Sequence, residues 1–481
     1  RPHRRGGQAA PLPHGCASMY SEAVPDTEDS DRGLGAIRRS VDKSGPMLSV
    51  QGCWTLHECF ARGVAINPDG PCLGYRPVDS SGTAGPYVWH SYAQVDVMVR
   101  ALSSALVKEH LIPPNGDGMR LLGLCMRNCP EWVVAAQACY AAGGATVPMY
   151  DTLTPDTMHY VLQLTSAPTV VCSRTEAERL LEAAEMGAPL RTLVQVEPAL
   201  SPALRRRASA AGVALRSFAE LLRVGEAYPT PPRAPSPADV ATFCFTSGTT
   251  GEPKGALITH RNLVSAAAGG STISGELAPG DAYLSYLPLP HIYERVMQVS
   301  LLAGGAAVGF FQGDPLRIVE DLAALQPTLL AAVPRLLVRI RDKIVGGYRA
   351  AGGLRARIFF MALDAKTQNL RERGETKHAL WDRIVFDKLK TALGMGRVRA
   401  MVTGSAPLSP EALDFYRVLL GTDVHEGYGQ TETSAVSTAT HRGDFDSGTV
   451  GPPQPGVEIR LRDVPDMGYL HTDRAHGEAG V

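Results

Sequence analysis

At 481 residues the chain is long enough for two to four units that each bury a core, and it is no small stapled module. Lys plus Arg is 47 and Asp plus Glu is 48, so there is no global field to draw nucleic acid or a membrane surface, and any anion site must be local. The nine cysteines, scattered from Cys16 to Cys244, lack zinc spacing (Cys125-x-x-x-Cys129 has no second pair) and read as reduced thiols in a cytosolic setting.

No apolar run approaches the roughly 18 to 20 residues of a membrane span. The best, Leu301 to Phe311, is broken by Gly304, Gly305 and Gly309, so the chain reads as soluble and cytosol-facing. Its first residue is Arg1 and not Met, which leaves room for an upstream targeting or anchoring segment.

Residues 1–48 are rich in Pro, Gly, Arg and Ser and are expected to form a disordered tail. From Trp54 the pattern is globular. Thr55 to Gly63 predicts a short capped helix ended by glycine, Tyr87–Trp89 a strand, and Ser91 the cap of an amphipathic helix with Val95, Val99, Leu102 and Leu106 on one face. Strands at 121–125, 145–149 and 169–172 then alternate with helices at 131–142 and 155–164. Such alternation predicts an α/β fold with mainly parallel sheets and helices on both faces. The proline cluster in 228–237 is a connector, dividing a first α/β unit (49–235) from a second (236–445). Beyond the connector, helices at 260–268, 294–303, 315–325 and 334–344 alternate with strands at 283–287, 306–311, 329–332 and 397–402, and Ser409-Pro410 opens a further helix. Residues 446–481 read as the start of a smaller β-rich unit.

The most informative stretch runs from Phe243 to Ala256. An apolar strand enters a loop, Thr246-Ser247-Gly248-Thr249-Thr250-Gly251-Glu252-Pro253-Lys254-Gly255, and a second apolar run comes after it. Glycines let backbone N–H groups close on oxygens, hydroxyls add donors and Lys254 adds charge, a composition that suits polyphosphate. It is not a Walker loop, because Lys254 precedes Gly255 and a strand comes next instead of a helix. A plain Gly/Ser/Thr hairpin turn is the competing reading.

Further segments fall at predicted strand ends, where open α/β sheets place ligands. They are Leu287-Pro288-Leu289-Pro290-His291-Ile292-Tyr293-Glu294-Arg295, Val402-Thr403-Gly404-Ser405-Ala406-Pro407, and Glu426-Gly427-Tyr428-Gly429-Gln430-Thr431-Glu432-Thr433. In the last, Tyr428 can stack on a base, Thr431 can donate to a phosphate oxygen, and Glu432 can hold a hard Mg²⁺. A histidine after a strand, such as His291, is by itself more often structural.

In this order and spacing the segments resemble the motifs of the adenylate-forming superfamily, and most of all those of eukaryotic long-chain acyl-CoA synthetases. Val147-Pro148-Met149-Tyr150-Asp151, Gly309-Phe310-Phe311-Gln312-Gly313-Asp314 and Val333-Pro334-Arg335-Leu336-Leu337 add to the likeness. The resemblance implies a ligase acting on fatty acid, ATP and coenzyme A through an acyl-adenylate, with Mg²⁺. It implies that Thr246 and Glu432 hold the metal and that Ser247, Gly248, Thr249, Thr250, Gly251 and Lys254 hold the β- and γ-phosphates. It further implies that Ser405, Ala406, Glu426, Gly427, Tyr428, Gly429 and Gln430 form the adenine side, Thr431 meets the α-phosphate, and His291 lies beside the acyl carboxylate. Ile292, Tyr293 and Arg295 would stand near the acyl tunnel. Lys254, His291, Thr431 and Glu432 are thus the catalytic candidates.

Gly477 to Val481 looks like the family's Gly-Glu-x-x-Val strand. Beyond that strand the family carries a ribose-binding Asp, a hinge and a lid with a lysine, so a C-terminally truncated chain impaired in adenylation is expected. The alternatives are a non-catalytic nucleotide- or lipid-binding form and another acyl- or aryl-CoA synthetase. The family also implies a peripheral or anchored place on endoplasmic reticulum, outer mitochondrial or peroxisomal membranes.

Overall fold

The computed structural model describes residues 21–41, 47–246 and 252–473. Cys16, the loop residues Ser247 to Gly251 and the Gly477–Val481 segment lie outside the described residues.

Every residue of strand Leu121–Cys125 is buried. Leu122 and Leu124 enter one hydrophobic core while Leu121 and Cys125 enter another, as the two-residue side-chain period of a strand requires. A strand apolar on both faces needs cover on both, which is the setting of a parallel sheet. Strands Ala145–Met149, Thr169–Cys172, Thr192–Gln195, Ala214–Ser217 and Val240–Thr246 extend it in parallel, and Lys254–Thr259 closes one edge antiparallel. The second sheet runs Thr438–Ala439, Val424–Tyr428, Ala400–Thr403, Leu329–Ala332, Ala282–Ser285, Ala307–Phe310, Pro71–Tyr75 and Val88–Ser91, its two outermost strands antiparallel and the rest parallel. This is the α/β architecture expected, and among the described residues no unit stands apart as a lid.

Two boundaries differ from the expected ones. The sheets cross the division at residue 235 in both directions: Pro71–Tyr75 and Val88–Ser91 join the later sheet, while Val240–Thr246 and Lys254–Thr259 complete the earlier one. Residues 21–41, placed by composition in a disordered tail, carry strands Ser21–Ala23 and Arg38–Ser40, which pair with each other, and Arg38–Ser40 pairs on its other side with Glu458–Ile459. Their order comes from a partner over 400 residues away, which local composition cannot register.

Helix starts follow their caps. Thr55, Ser91 and Thr259 each form a capping box, with Glu58, Gln94 and Asn262 closing the reciprocal bond. The first of these helices does not stop at Gly63 but runs Leu56–Ile66. Gly63 is there for approach, since a Cβ on it would lie 2.0 Å from the Leu302 carbonyl oxygen of the crossing helix Ile292–Ala303. Where the pattern predicts nothing, between Ile344 and Arg397, the chain is helical: Pro334–Ala351 continues past its expected end, and Gly353–Arg373, Asp382–Phe386 and Asp387–Ala392 come after it. The docking of this block is centred on buried Lys366, which donates to the Val418 carbonyl at 2.6 Å, pairs with Asp382 and lies over the Phe386 ring.

Candidate active site

Four chain segments converge on one cavity of about 450 Å³. Thr246, at the end of strand Val240–Thr246, forms one side, and His291, Ile292 and Tyr293, at the start of helix Ile292–Ala303, form the next. Val402 to Ser405 closes the floor, and Gly427 to Glu432 with Ala435 and Val436 the far wall. Sequence segments separated by up to 190 residues thus meet at strand ends, where a parallel sheet leaves its crevice.

The far wall is a tight turn. The Ala435 N–H bonds the Gln430 carbonyl at 3.0 Å and the Ser437 N–H bonds the Tyr428 carbonyl at 2.8 Å. Gly429 is dictated by this closure, because a Cβ there would lie 1.2 Å from the Ala435 carbonyl oxygen. Ser405 and Ala435, both lining the cavity, have φ of 72° and 84°, the left-handed region that side chains avoid. Backbone strain of this kind collects at ligand sites. Tyr428 is 48% exposed, so its ring is open to a flat partner. Its hydroxyl accepts from Gln430 Nε2 at 2.7 Å.

His291 caps its own helix. Its Nδ1 accepts the Tyr293 N–H at 3.2 Å, so a neutral ring carries its proton on Nε2. Burial lowers the His291 pKa from its ordinary value. The side chain therefore offers the cavity a neutral N–H donor, suited to an anionic oxygen.

Thr246 and Glu432 supply a hydroxyl and an exposed carboxylate to the same cavity, and among the described residues Glu432 has no ion-pair partner. Hard oxygen donors of this type fit Mg²⁺, which commonly takes one or two protein ligands and completes its shell with phosphate and water.

The remaining sequence candidates take other positions. Lys254 is exposed and stands across the strand pair from Thr246, whose hydroxyl donates to the Lys254 carbonyl at 3.4 Å. Ala406 is exposed outside the cavity lining. Glu426 is buried, and its Oε1 accepts the Leu408 N–H at 2.9 Å, tying the 404–408 turn to strand Val424–Tyr428. It shapes the wall and does not line it. Arg295 is buried away from the cavity, donating to Thr242 Oγ1 at 3.1 Å and Tyr140 Oη at 2.6 Å beneath the Trp132 ring. It fastens the helix behind His291 to the strand that ends in Thr246. Asn128, which no motif singles out, lies under the 285–289 turn and bonds it three times.

The profile of the family described as AMP-binding enzyme matches residues 60–480. The chain belongs to the AMP-binding enzyme family.

Among relatives of this AMP-binding enzyme are two from Arabidopsis thaliana. Long chain acyl-CoA synthetase 6, peroxisomal, is 42% identical over 423 residues, covering 88% of this chain and 59% of the relative. Long chain acyl-CoA synthetase 7, peroxisomal, is 41% identical, covering 95% and 64%. The human long-chain-fatty-acid–CoA ligase 1 is 39% identical, covering 93% and 64%. The chain thus spans about three fifths of the length of these relatives.

The fold recurs in solved structures. The A domain of carboxylic acid reductase from Segniliparus rugosus, in complex with AMP and a co-purified carboxylic acid, superposes with a TM-score of 0.62 at 22% identity, covering 87% of this chain and 65% of that one. A benzoate CoA ligase from Burkholderia xenovorans gives 0.59 at 19% identity, covering 84% and 66%.

Proposed function

We propose that this AMP-binding enzyme activates long-chain fatty acids with ATP, forming an acyl-adenylate that coenzyme A then converts to acyl-CoA. The observation that carries the reading is the meeting of Thr246, His291, Tyr428, Thr431 and Glu432 around one cavity in a chain about 40% identical to long-chain synthetases.

The residues divide the work. Tyr428 stacks on adenine against the 404–405 floor, and Thr431 donates to the α-phosphate. His291 Nε2–H holds the acyl carboxylate near that phosphorus, which turns a bimolecular attack into a positioned one. Donors preset around the phosphorus favour charge that develops on its oxygens. Ser247 to Gly251 and Lys254 take the leaving pyrophosphate. Mg²⁺ held by Thr246 and Glu432 would neutralise phosphate charge that otherwise repels the carboxylate.

Calorimetry with AMP and with acetyl, octanoyl and palmitoyl sulfamoyl-adenosines tests the reading. Affinity should rise along that series. A chain that binds no adenine nucleotide is not an acyl-activating enzyme, and one that prefers the acetyl compound is not specific for long chains. The names of the two Arabidopsis relatives make the peroxisome the first compartment to test, with endoplasmic reticulum and outer mitochondrial membrane next.

A further inference from the structure

We infer that Asn128 is a positioning residue for His291, an inference that rests on the acyl-adenylate reading. Asn128 comes after strand Leu121–Cys125 of the seven-stranded sheet and is buried, yet its side chain bonds strand Ala282–Ser285 of the other sheet and the turn that comes after that strand. Its Nδ2 donates to the Leu287 carbonyl at 2.7 Å and to Ser285 Oγ at 3.0 Å, and its Oδ1 accepts the Leu289 N–H at 3.0 Å. A backbone carbonyl on one side and a backbone N–H on the other settle which way the amide points.

The partner turn could not satisfy itself. Pro288 and Pro290 have no N–H, so Leu289 holds the only backbone donor of that tripeptide, and Asn128 takes it. One residue later the His291 N–H bonds the Pro288 carbonyl at 2.9 Å, and His291 caps helix Ile292–Ala303. The hydroxyl of Ser285 in turn donates a hydrogen bond to Glu294 Oε1 at 2.6 Å, in the first turn of that helix. Asn128 thus locks both the turn before His291 and the strand beneath it, without lining the cavity. Its chemistry is specific, because the site needs a donor and an acceptor on one short planar group. Leucine supplies neither, and an ionised aspartate would set a negative oxygen against the Leu287 carbonyl.

The test uses Asn128→Ala and Asn128→Asp with two readouts: calorimetric affinity for AMP and for palmitoyl sulfamoyl-adenosine, and the NMR titration of the His291 imidazole. In Asn128→Ala, AMP affinity should stay within about twofold while the acyl compound weakens about tenfold or more, and His291 should titrate closer to the ordinary 6.5. Asn128→Asp should match wild type at low pH, where the neutral acid keeps one donor and one acceptor, and resemble the alanine variant once ionised. An unchanged His291 titration, or equal losses for both ligands in both variants, overturns the inference. If wild type binds neither ligand, the acyl-adenylate reading falls while the His291 titration still decides the role of Asn128.

Discussion

Glu294 Oε2 accepts the Tyr283 hydroxyl at 2.6 Å, with both side chains buried completely. Ser285 Oγ donates to Oε1 at 2.6 Å, and Gln298 Nε2 approaches the same oxygen at 3.4 Å. No cation shares the site in these contacts, and burial, opposed by the three hydrogen bonds, pushes the Glu294 carboxyl up to about 7.

A carboxyl raised in the folded state binds its proton more tightly there than when unfolded. Between the unfolded value of 4.5 and the folded value near 7, stability therefore falls as pH rises, by on the order of 3 kcal/mol in total. Glu294→Gln should remove this decline. Urea melts of the two proteins from pH 5 to pH 8 should diverge upward in pH, with the variant the more stable at the alkaline end; parallel curves would mean that Glu294 is not protonated in this window.

His291→Ala should slow adenylate formation about 10²-fold, the usual loss of one preset donor beside developing charge. ATP–pyrophosphate exchange measures it. Since the His291 pKa lies below its ordinary value, the neutral donor persists into mildly acid solution and exchange should hold up there. Exchange that falls away already above pH 6.5 would contradict the neutral role.

Glu432→Gln should weaken Mg·ATP binding more than metal-free AMP binding, because the carboxylate serves the cation and leaves the adenine wall alone. A difference of about tenfold in calorimetric affinity is expected for a lost charge-assisted contact. Equal losses for both ligands would assign Glu432 to the nucleotide.

Gly429→Ala places a methyl group where the Ala435 carbonyl oxygen already stands. The turn must open, at about 1 to 3 kcal/mol of stability. AMP affinity should fall in step with the melting midpoint, since the same turn carries Tyr428 and Thr431. A stable variant with normal AMP affinity would show that the turn can close another way.

The sheets and the cavity wall were legible because they are written locally. Strands such as Leu121–Cys125 and Leu329–Ala332 are unbroken apolar runs, and the turn Gly404-Ser405 comes directly after Ala400–Thr403, whereas strand Val424–Tyr428, with His425 and Glu426 inside it, has no such run to announce it. Arg295 was not legible as a strut, for a reason of helix geometry. Each residue turns about 100° from the last, so Ile292 and Tyr293 reach the cavity while Glu294 meets strand Ala282–Ser285 and Arg295 meets Val240–Thr246. A linear motif reads these neighbours as one patch. Helix Gly353–Arg373 has no clean apolar period in the sequence because its buried face, Ala356, Phe359, Ala362, Lys366 and Leu370, has a lysine among its apolar positions. Asn128 gave no signal because an amide between a strand and a Pro-initiated helix looks like an ordinary loop residue until the opposite sheet is present.

The exchange of edge strands between the two sheets bears on how the chain is made. Pro71–Tyr75 can pair in parallel only with Ala307–Phe310, which leaves the ribosome over 200 residues later. At about 5 to 20 residues per second, that is a wait on the order of 10 to 50 s. During it the hairpin of Pro71–Tyr75 with Val88–Ser91 has its inner edge bare, and a two-stranded hairpin is marginal alone. The newborn chain therefore holds an open strand edge through a long stretch of its synthesis, which makes assembly a step more exposed to aggregation, and more dependent on chaperones, than the finished fold.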